Sequence, residues 1–448
     1  MTQGPSVPVP VIAARHDKIP SHEGAQRANN RHSTLGVFGR AERQRGSAVT
    51  PRSFDPSAMP TVTMVGGGQL ARMTHQAAIA LGQRLRVLAE NPDDPAAQVS
   101  PDVVLGSHTD LTALRKAAVG SHALTFDHEH VPAEHLAALV AEGVNVQPPP
   151  EALIYAQDKL VMRTKLAELG LPVPAFAAVA EPGDAVRFGD ANGWPMVLKA
   201  VRGGYDGRGV WMPESAAAAT EIVTDQLARG VQLLAEAKVP LRRELSAMVA
   251  RSPYGQAAAW PVVETVQRNG QCAVVIAPAP DLSDELATGA EALALNLAEG
   301  LGVVGAMAVE LFETTDGRLL VNELAMRPHN SGHWGMDGAR TGQFEQHLRA
   351  VLDYPLGDTT PLAPVTVMAN ILGAQQAPAM SIDERLHHLF ARMPEAKVHL
   401  YGKGERPDRK IGHINVLGDD VAVVREKAER AAHWMSHAVW TDGWDPHD

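Results

Sequence analysis

Read for where apolar residues recur, the chain changes character near residue 60. Upstream, the stretch "RHDKIPSHEGAQRANNRHSTLGVFGRAERQRGS" has no hydrophobic period and is rich in Arg, His, Gly, Ser and Asn, so residues 1–59 read as a disordered extension. The extension is neither continuously basic nor amphipathic, which suits neither a nucleic-acid arm nor an organellar presequence. Downstream, "TVTMVGGGQLARMTHQAAIALG" reads as a buried strand, a glycine turn and a helix, and "RLRVLAE" as a second strand. Strands in "DVVLGS" and "HALTFDHE" alternate with helical stretches from Leu111 and Ala133, predicting βαβ units on a parallel, Rossmann-like sheet over 60–156.

The proline-rich "QPPPEA" breaks that pattern, and the helix "DKLVMRTKLAELG" opens a central region over 157–360. From "MVLKA" at Met196 to "VMANILG" at Gly373 strands dominate, with one helix predicted around Asp284 to Glu299. The tail, 361–448, reads as a small β-rich domain: strands "KVHLYGK" and "KIGHINVLG", then a helix from Asp420. The fold class is therefore α/β and α+β, in three domains.

Composition narrows the function. A length of 448 residues, 45% hydrophobic and 20% charged, is that of a folded globular chain of two or three domains. The net charge of −11 argues against a general nucleic-acid or anionic-membrane binder and leaves small molecules as partners. Cys272 is the single cysteine, which excludes an internal disulfide and a cysteine-based metal cage. Neither a signal-peptide core nor an apolar run of about 18 residues is present, and a cytoplasmic protein is expected.

Four clusters carry candidate chemistry. The turn Gly66-Gly67-Gly68-Gln69-Leu70-Ala71 has the G-x-G-x-x-A form, and Glu90 ends the second strand, so a nicotinamide dinucleotide stands beside a tight packing turn as its reading. Lys199 ends an apolar strand and is followed by Gly203, Gly204, Gly207 and Gly209; a phosphate would satisfy the lysine, and the glycines form a flap able to donate backbone N–H groups. A surface hairpin with a snorkelling lysine is the alternative. The runs "GAMAVELFETTDGRLLVNELAM" meet at Asp316-Gly317, a strong hairpin signal. A two-residue loop there sets Glu310 opposite Glu323, on one face with Ala308, Phe312, Val321 and Ala325. Facing carboxylates call for a cation, and with phosphate oxygens they make a magnesium or manganese set; a longer loop would shift the register and leave one Glu solvated. Arg327, His329 and Asn330 follow on the rim. Finally Lys403, Arg406, Arg409 and Lys410 crowd positive charge into "YGKGERPDRKIGH", suited to a phosphate monoester or, alternatively, a solvated loop.

These motifs together resemble the ATP-grasp superfamily. Within it, "GGGQLARM", "GGYDGRG", "AVELF", "GRLLVNEL", "NELAMRPHNSGHW" and "RKIGH" are similar to the 5-(carboxyamino)imidazole ribonucleotide synthases of purine biosynthesis, over about residues 60 to 440. The resemblance implies a Rossmann-like domain, a central ATP-grasp domain with a glycine-rich lid, and a ligase using ATP, bicarbonate and 5-aminoimidazole ribonucleotide. It implies ATP contacts at Lys159, Lys199, Gly204, Gly207 and Asn322, with Glu236 at the adenine end and Glu244 on the ribose. Glu310 and Glu323 would hold the metal. Tyr205, Asp206, Arg208, Arg327 and His329 would handle bicarbonate and carboxyphosphate. Gln69, Leu70, Glu129 and Asn330 would hold the ribonucleotide, with its phosphate on Lys403, Arg409 and Lys410. A homodimer, and hand-over of product to the carboxyaminoimidazole ribonucleotide mutase, are also implied. The competing expectations are a formate-dependent glycinamide ribonucleotide transformylase or a biotin carboxylase, an NAD-dependent oxidoreductase, and a non-catalytic nucleotide binder.

Overall fold

Residues 59–204 and 209–444 are described by the computed structural model; the expected extension and the flap tip, Tyr205 to Arg208, lie outside them. The strands Val103–Leu105, Arg84–Ala89, Thr61–Val65 and Ala123–Phe126 lie side by side in that order, all parallel. Val62, Met64 and Val65 are fully buried, the near-continuous burial a parallel strand covered on both faces requires. The predicted helices are present as Gln69–Ala80, Leu111–Ala118 and Ala133–Ala141. The parallel register brings Gly66, Glu90 and Asp127 to one edge, where the strands end.

A second sheet orders Phe176–Val179, Leu233–Glu236, Val197–Ala200 and Val210–Trp211, every pair antiparallel. Its last two strands are the flanks of the glycine flap. Helices Pro182–Asn192 and Ala216–Ala228 bury Ala185, Phe188, Ala219 and Val223 against it.

The largest sheet runs Leu319–Ala325, Gly305–Thr314, Leu241–Arg251, Val263–Arg268, Gln271–Ala277, Val365–Leu372, Lys410–Gly418 and Lys397–Leu400, with the short Ala257–Ala259 also paired to Leu241–Arg251. The expected β-rich tail is therefore built onto the central sheet: Val274 pairs with Ala369 and Ala369 with Ile414. Helix Val421–His437, capped by the Asp420 carboxylate on Val423 N–H, covers this end with Ile382–Arg392.

Several helices were not expected, among them Pro150–Gln157 and Pro182–Asn192, and three more show why. Ala216–Ala228 buries only Ala219 and Val223, so its pattern carries little hydrophobic contrast. Gln343–Val351 buries Gln343, Gln346 and His347 beside Phe344 and Leu348, and polar residues on the core face hide its period. Ile382–Arg392 begins with a Ser381/Glu384 capping box, a signal that was legible in the sequence. Among the described residues no helix is long and apolar enough to cross a membrane.

Candidate active site

The two strands Gly305–Thr314 and Leu319–Ala325 pair as expected at their far ends, with Glu310 directly opposite Glu323. The loop is not the expected two-residue one. Thr314 N–H donates to Arg318 O at 2.9 Å and Gly317 N–H to Thr314 O at 2.9 Å, leaving residues 315–317 as a three-residue loop with Gly317 at φ 78°. Leu311 consequently pairs with Val321, not with Asn322, and the register shifts beyond it so that Asn322 is an extra, bulged residue. Val321 thereby leaves the carboxylate face for the core with Leu311, Val309 and Leu324, correcting its expected position. The bulge sends both Asn322 and Glu323 toward the site.

Lys199 is 6% exposed, yet it does not wait unpaired for a phosphate. Its Nζ donates to Asn322 Oδ1 at 3.0 Å and to Glu236 Oε2 at 2.9 Å. Glu236 also accepts from Arg163 Nε at 2.7 Å. Burial would raise the Glu236 carboxyl, but Lys199 and Arg163 outweigh it and hold the group below the ordinary carboxylate range. Its side chain, expected at the adenine end, is thus engaged as a brace between two cations. Lys159 reaches Glu323 at 3.3 Å, from a helix capped by Asp158. Glu244, on the strand beside Gly305–Thr314 and opposite Phe312, faces the same side as Glu310. Burial, then the Glu310 charge, pushes its carboxyl up to about 7, against a hydrogen bond from Gln267.

The chain then turns back over the hairpin. His329 Nε2 lies 3.3 Å from Glu310 Oε1, and its Nδ1 meets Ser331 Oγ at 2.9 Å. For Glu310, the raising effect of burial is exceeded by His329, Lys199 and Lys159, so the carboxyl sits below its ordinary value. Arg327 Nε lies 2.8 Å from Glu129 Oε1. Gln343, missed in the sequence because it looks like any loop amide, fixes this segment: it accepts from His329 N–H at 2.7 Å and donates to His329 O at 2.8 Å. Asn330 lines the cleft wall, its side chain beside Cys272.

The glycine turn proves to be occupied by the protein itself. Gly68 N–H donates to the Asp127 carboxylate, and a Cβ at position 68 would lie 2.2 Å from Asp127 Oδ2. At Gly66, with φ 108°, a Cβ would meet Asp127 and His128. Glu90, the acid a dinucleotide ribose would need, binds Ser107 Oγ at 3.0 Å and His108 Nδ1 at 3.2 Å. An internal carboxylate thus takes the anion seat at the helix N-terminus, which sets the nicotinamide reading aside. Asp127 was legible only as the last residue of "HALTFD". Gln69 Oε1 accepts from Lys403 Nζ, joining this edge to the basic cluster. Leu70 lines the cleft beside Gln69 while packing with Met73, Phe344 and Tyr401.

Many of these groups border one cleft of ≈ 1410 Å³. Its wall includes Lys159, Gly204, Glu310 and Glu323 as well as Gln69, Asp127, Lys403, Arg406, Arg409 and Lys410, with Arg327, His329 and Asn330 in the same lining. Lys199, Asn322, Glu236 and Glu244 stand behind it. Tyr205, Asp206, Gly207 and Arg208 fall outside the described residues.

A model of the ribonucleotide synthetase preATP-grasp domain matches residues 59–157, one of the ATP-grasp domain residues 164–344, and one of the phosphoribosylaminoimidazole carboxylase C-terminal domain residues 366–427. Fold and site thus define an ATP-grasp ligase. The N5-carboxyaminoimidazole ribonucleotide synthase of Mycobacterium tuberculosis (strain ATCC 25618 / H37Rv) is 69% identical over 388 residues, covering 87% of this chain and 90% of that protein. The crystal structure of the synthetase from Thermus thermophilus is similar at 36% identity and a TM-score of 0.75, over 86% of this chain and 100% of that one. A synthase from Aspergillus clavatus, solved with ADP and 5-aminoimidazole ribonucleotide, gives 29% identity and a TM-score of 0.76, over 84% and 98%. The chain belongs to the N5-carboxyaminoimidazole ribonucleotide synthase family.

Proposed function

We propose how the cleft divides the family's reaction among its residues. The chain is an ATP-dependent ligase that carboxylates 5-aminoimidazole ribonucleotide in purine biosynthesis. One observation carries the division of roles: the Arg327–Asn330 loop touches both ends of a single cleft, His329 meeting Glu310 and Arg327 meeting Glu129.

In this reading Lys159 and Lys199 meet the ATP phosphates, with backbone N–H groups of the flap at Gly204 and Gly207, and Glu244 takes the ribose hydroxyls. The paired carboxylates Glu310 and Glu323, with Asn322 beside them, are hard oxygen donors of the kind magnesium or manganese takes, and in chemistry the residues present fit such an ion. A bound divalent ion would neutralise charge on the phosphate oxygens. Bicarbonate oxygen attacks the γ-phosphorus, the bond to the ADP oxygen breaks, and carboxyphosphate forms. Its carboxyl carbon, directly or as released carbon dioxide, is then taken by the substrate amine: an N–C bond forms, the C–O bond to phosphate breaks, and the amine loses a proton. Bicarbonate is a poor electrophile, so the protein's task is positioning and charge neutralisation. Arg327 and His329, with Tyr205, Asp206 and Arg208 of the flap, hold the carboxyl group. Gln69, Leu70, Glu129 and Asn330 border the ribonucleotide, whose phosphate meets Lys403, Arg409 and Lys410. Closure of the flap would keep water from an intermediate that hydrolyses readily.

The same reading includes a cytoplasmic homodimer that hands its product to the carboxyaminoimidazole ribonucleotide mutase; light scattering of the purified chain tests the dimer. The reaction is tested by phosphate release from ATP and Mg2+ in bicarbonate buffer, with 5-aminoimidazole ribonucleotide or with glycinamide ribonucleotide plus formate. Release and consumption with the first substrate alone is the expected result. Release only with the second pair would move the function to the transformylase.

A further inference from the structure

We propose that Arg163 is a positioning residue for ATP, setting two elements of the phosphate face at once from outside the cleft. The inference rests on reading Lys199, Asn322 and Glu323 as the ATP and metal face. The Arg163 side chain is 1% exposed and is not part of the cleft lining. A guanidinium so deeply buried is costly unless every donor direction is used for something specific. Here Nε grips Glu236 Oε1 at 2.7 Å, while Nη1 donates to Val321 O at 3.1 Å.

Each contact acts on a different active-site element. Through Glu236, Arg163 bears on Lys199, because Glu236 Oε2 holds the Lys199 ammonium at 2.9 Å. One carboxylate shared by two cations leaves the trio with net positive charge, so Lys199 remains attractive to an anion; with Arg163 gone, Lys199 and Glu236 would close into a neutral pair. Through Val321 O, Arg163 bears on the bulge. Val321 N–H is taken by Pro172 O at 2.8 Å, so both backbone groups of the residue before Asn322 are held by partners from outside the hairpin. Those two grips fix the point where the strand turns Asn322 and Glu323 inward. Lys159, four residues before Arg163 on the same helix, holds Glu323 itself. One helical face, at i and i+4, thus organises the lysine and the metal strand together.

The test compares Arg163→Met, Arg163→Lys and Lys199→Met in the full chain. It reads the thermal midpoint, the KM for ATP, the Mg2+ concentration at half-saturation and the KM for 5-aminoimidazole ribonucleotide. Arg163→Met is expected to raise the ATP KM and the Mg2+ requirement by about tenfold or more, leaving the ribonucleotide KM within about twofold. Arg163→Lys is expected to restore the ATP KM and to keep the raised Mg2+ requirement, since an ammonium can satisfy Glu236 but lacks the fork that also spans Val321 O. An unchanged ATP KM in folded Arg163→Met, with a raised one in Lys199→Met, would overturn the role of Arg163 alone. An unchanged ATP KM in both would overturn the reading of the phosphate face. Equal rises in the KM of both substrates would mark Arg163 as merely structural. Should Arg163→Met not fold, Arg163→Lys with wild-type ATP and Mg2+ dependence would overturn the proposal by itself.

Discussion

Glu310 and Glu323 are direct cross-strand partners although the register passes over the residue between Val321 and Glu323. With the three-residue loop and no bulge, Asn322 would sit opposite Glu310 and Glu323 would point into the core. The extra residue puts both on the cleft side, where like charges face each other and are balanced by His329 and Lys199 at Glu310 and by Lys159 at Glu323. Glu310→Gln and Glu323→Gln should retain the fold and lose roughly 100-fold or more of the Mg2+-dependent turnover, and Glu310→Gln should also lower the thermal midpoint at neutral pH, because the folded protein favours the charged Glu310. Near-normal phosphate release in either variant would refute the metal assignment.

His347 ties the parallel sheet to the large one. It accepts Ala306 N–H on Nδ1 at 3.0 Å, which fixes the proton on Nε2, 2.8 Å from Thr125 Oγ1. The ring is fully buried, and burial pushes its pKa down to about 4 from the ordinary 6.5. Because the unfolded chain takes up the proton first, this group's contribution is complete above pH 6.5 and is lost as pH falls toward 4. His347→Gln should cost about 2 kcal/mol at pH 7. Denaturant unfolding of the two proteins should show that gap shrinking at pH 4.5. A gap independent of pH would contradict the neutral, two-bond role.

Glu244 has the opposite sign. Its folded pKa, about 7, lies above the ordinary 4.5, so its carboxyl is stabilising in the protonated form below pH 4.5 and that contribution is lost as pH rises through 7. If Glu244 takes the ribose hydroxyls as a carboxylate, ATP affinity should improve between pH 6 and 8 while stability declines. In Glu244→Gln the ATP KM should be higher at pH 8 and flat with pH, and the thermal midpoint should gain on wild type as pH rises. Titration of both proteins over that range checks it, and an equal pH dependence in the variant would remove Glu244 from the explanation.

How far the sequence carried the fold depended on where polar residues were buried. The parallel sheet was legible because its core faces are apolar, as at Val62, Met64 and Leu124. Helix Gln343–Val351 was not, since Gln343, Gln346 and His347 are on its buried side. The Glu310–Glu323 pairing was anticipated from a loop length that is wrong by one residue, and a bulge that no local propensity announces restored it. Lys199 was read as a buried lysine satisfied by a phosphate, whereas its partners in the structure, Glu236 and Asn322, come from distant strands. Asp127 and Arg163 were missed for the same reason: a single charged residue at a strand end or on a helix shows nothing of the burial that makes it matter.

At the other end of the cleft, Lys403 Nζ donates to Gln69 Oε1, and the burial-raised carboxyl of Asp127 is drawn back toward its charged form by Arg327, Gly68 N–H and Lys403. Lys403 is thus held by the glycine-turn edge of the parallel sheet while Arg409 and Lys410 approach the same cleft from the tail. If this cluster takes the ribonucleotide phosphate, a charge-assisted hydrogen bond contributes about 1.5–3 kcal/mol. Lys403→Met should then raise the KM for 5-aminoimidazole ribonucleotide roughly 10- to 100-fold, with the ATP KM within about twofold of wild type. Gln69→Leu should give a smaller rise in the same constant, because it loosens the lysine without removing its charge. Added salt should weaken ribonucleotide binding in wild type more than in Lys403→Met, since the variant has one fewer charge to screen. A raised ATP KM with an unchanged ribonucleotide KM would reverse the two ends of the cleft, placing the nucleotide triphosphate against the tail and the ribonucleotide against the hairpin.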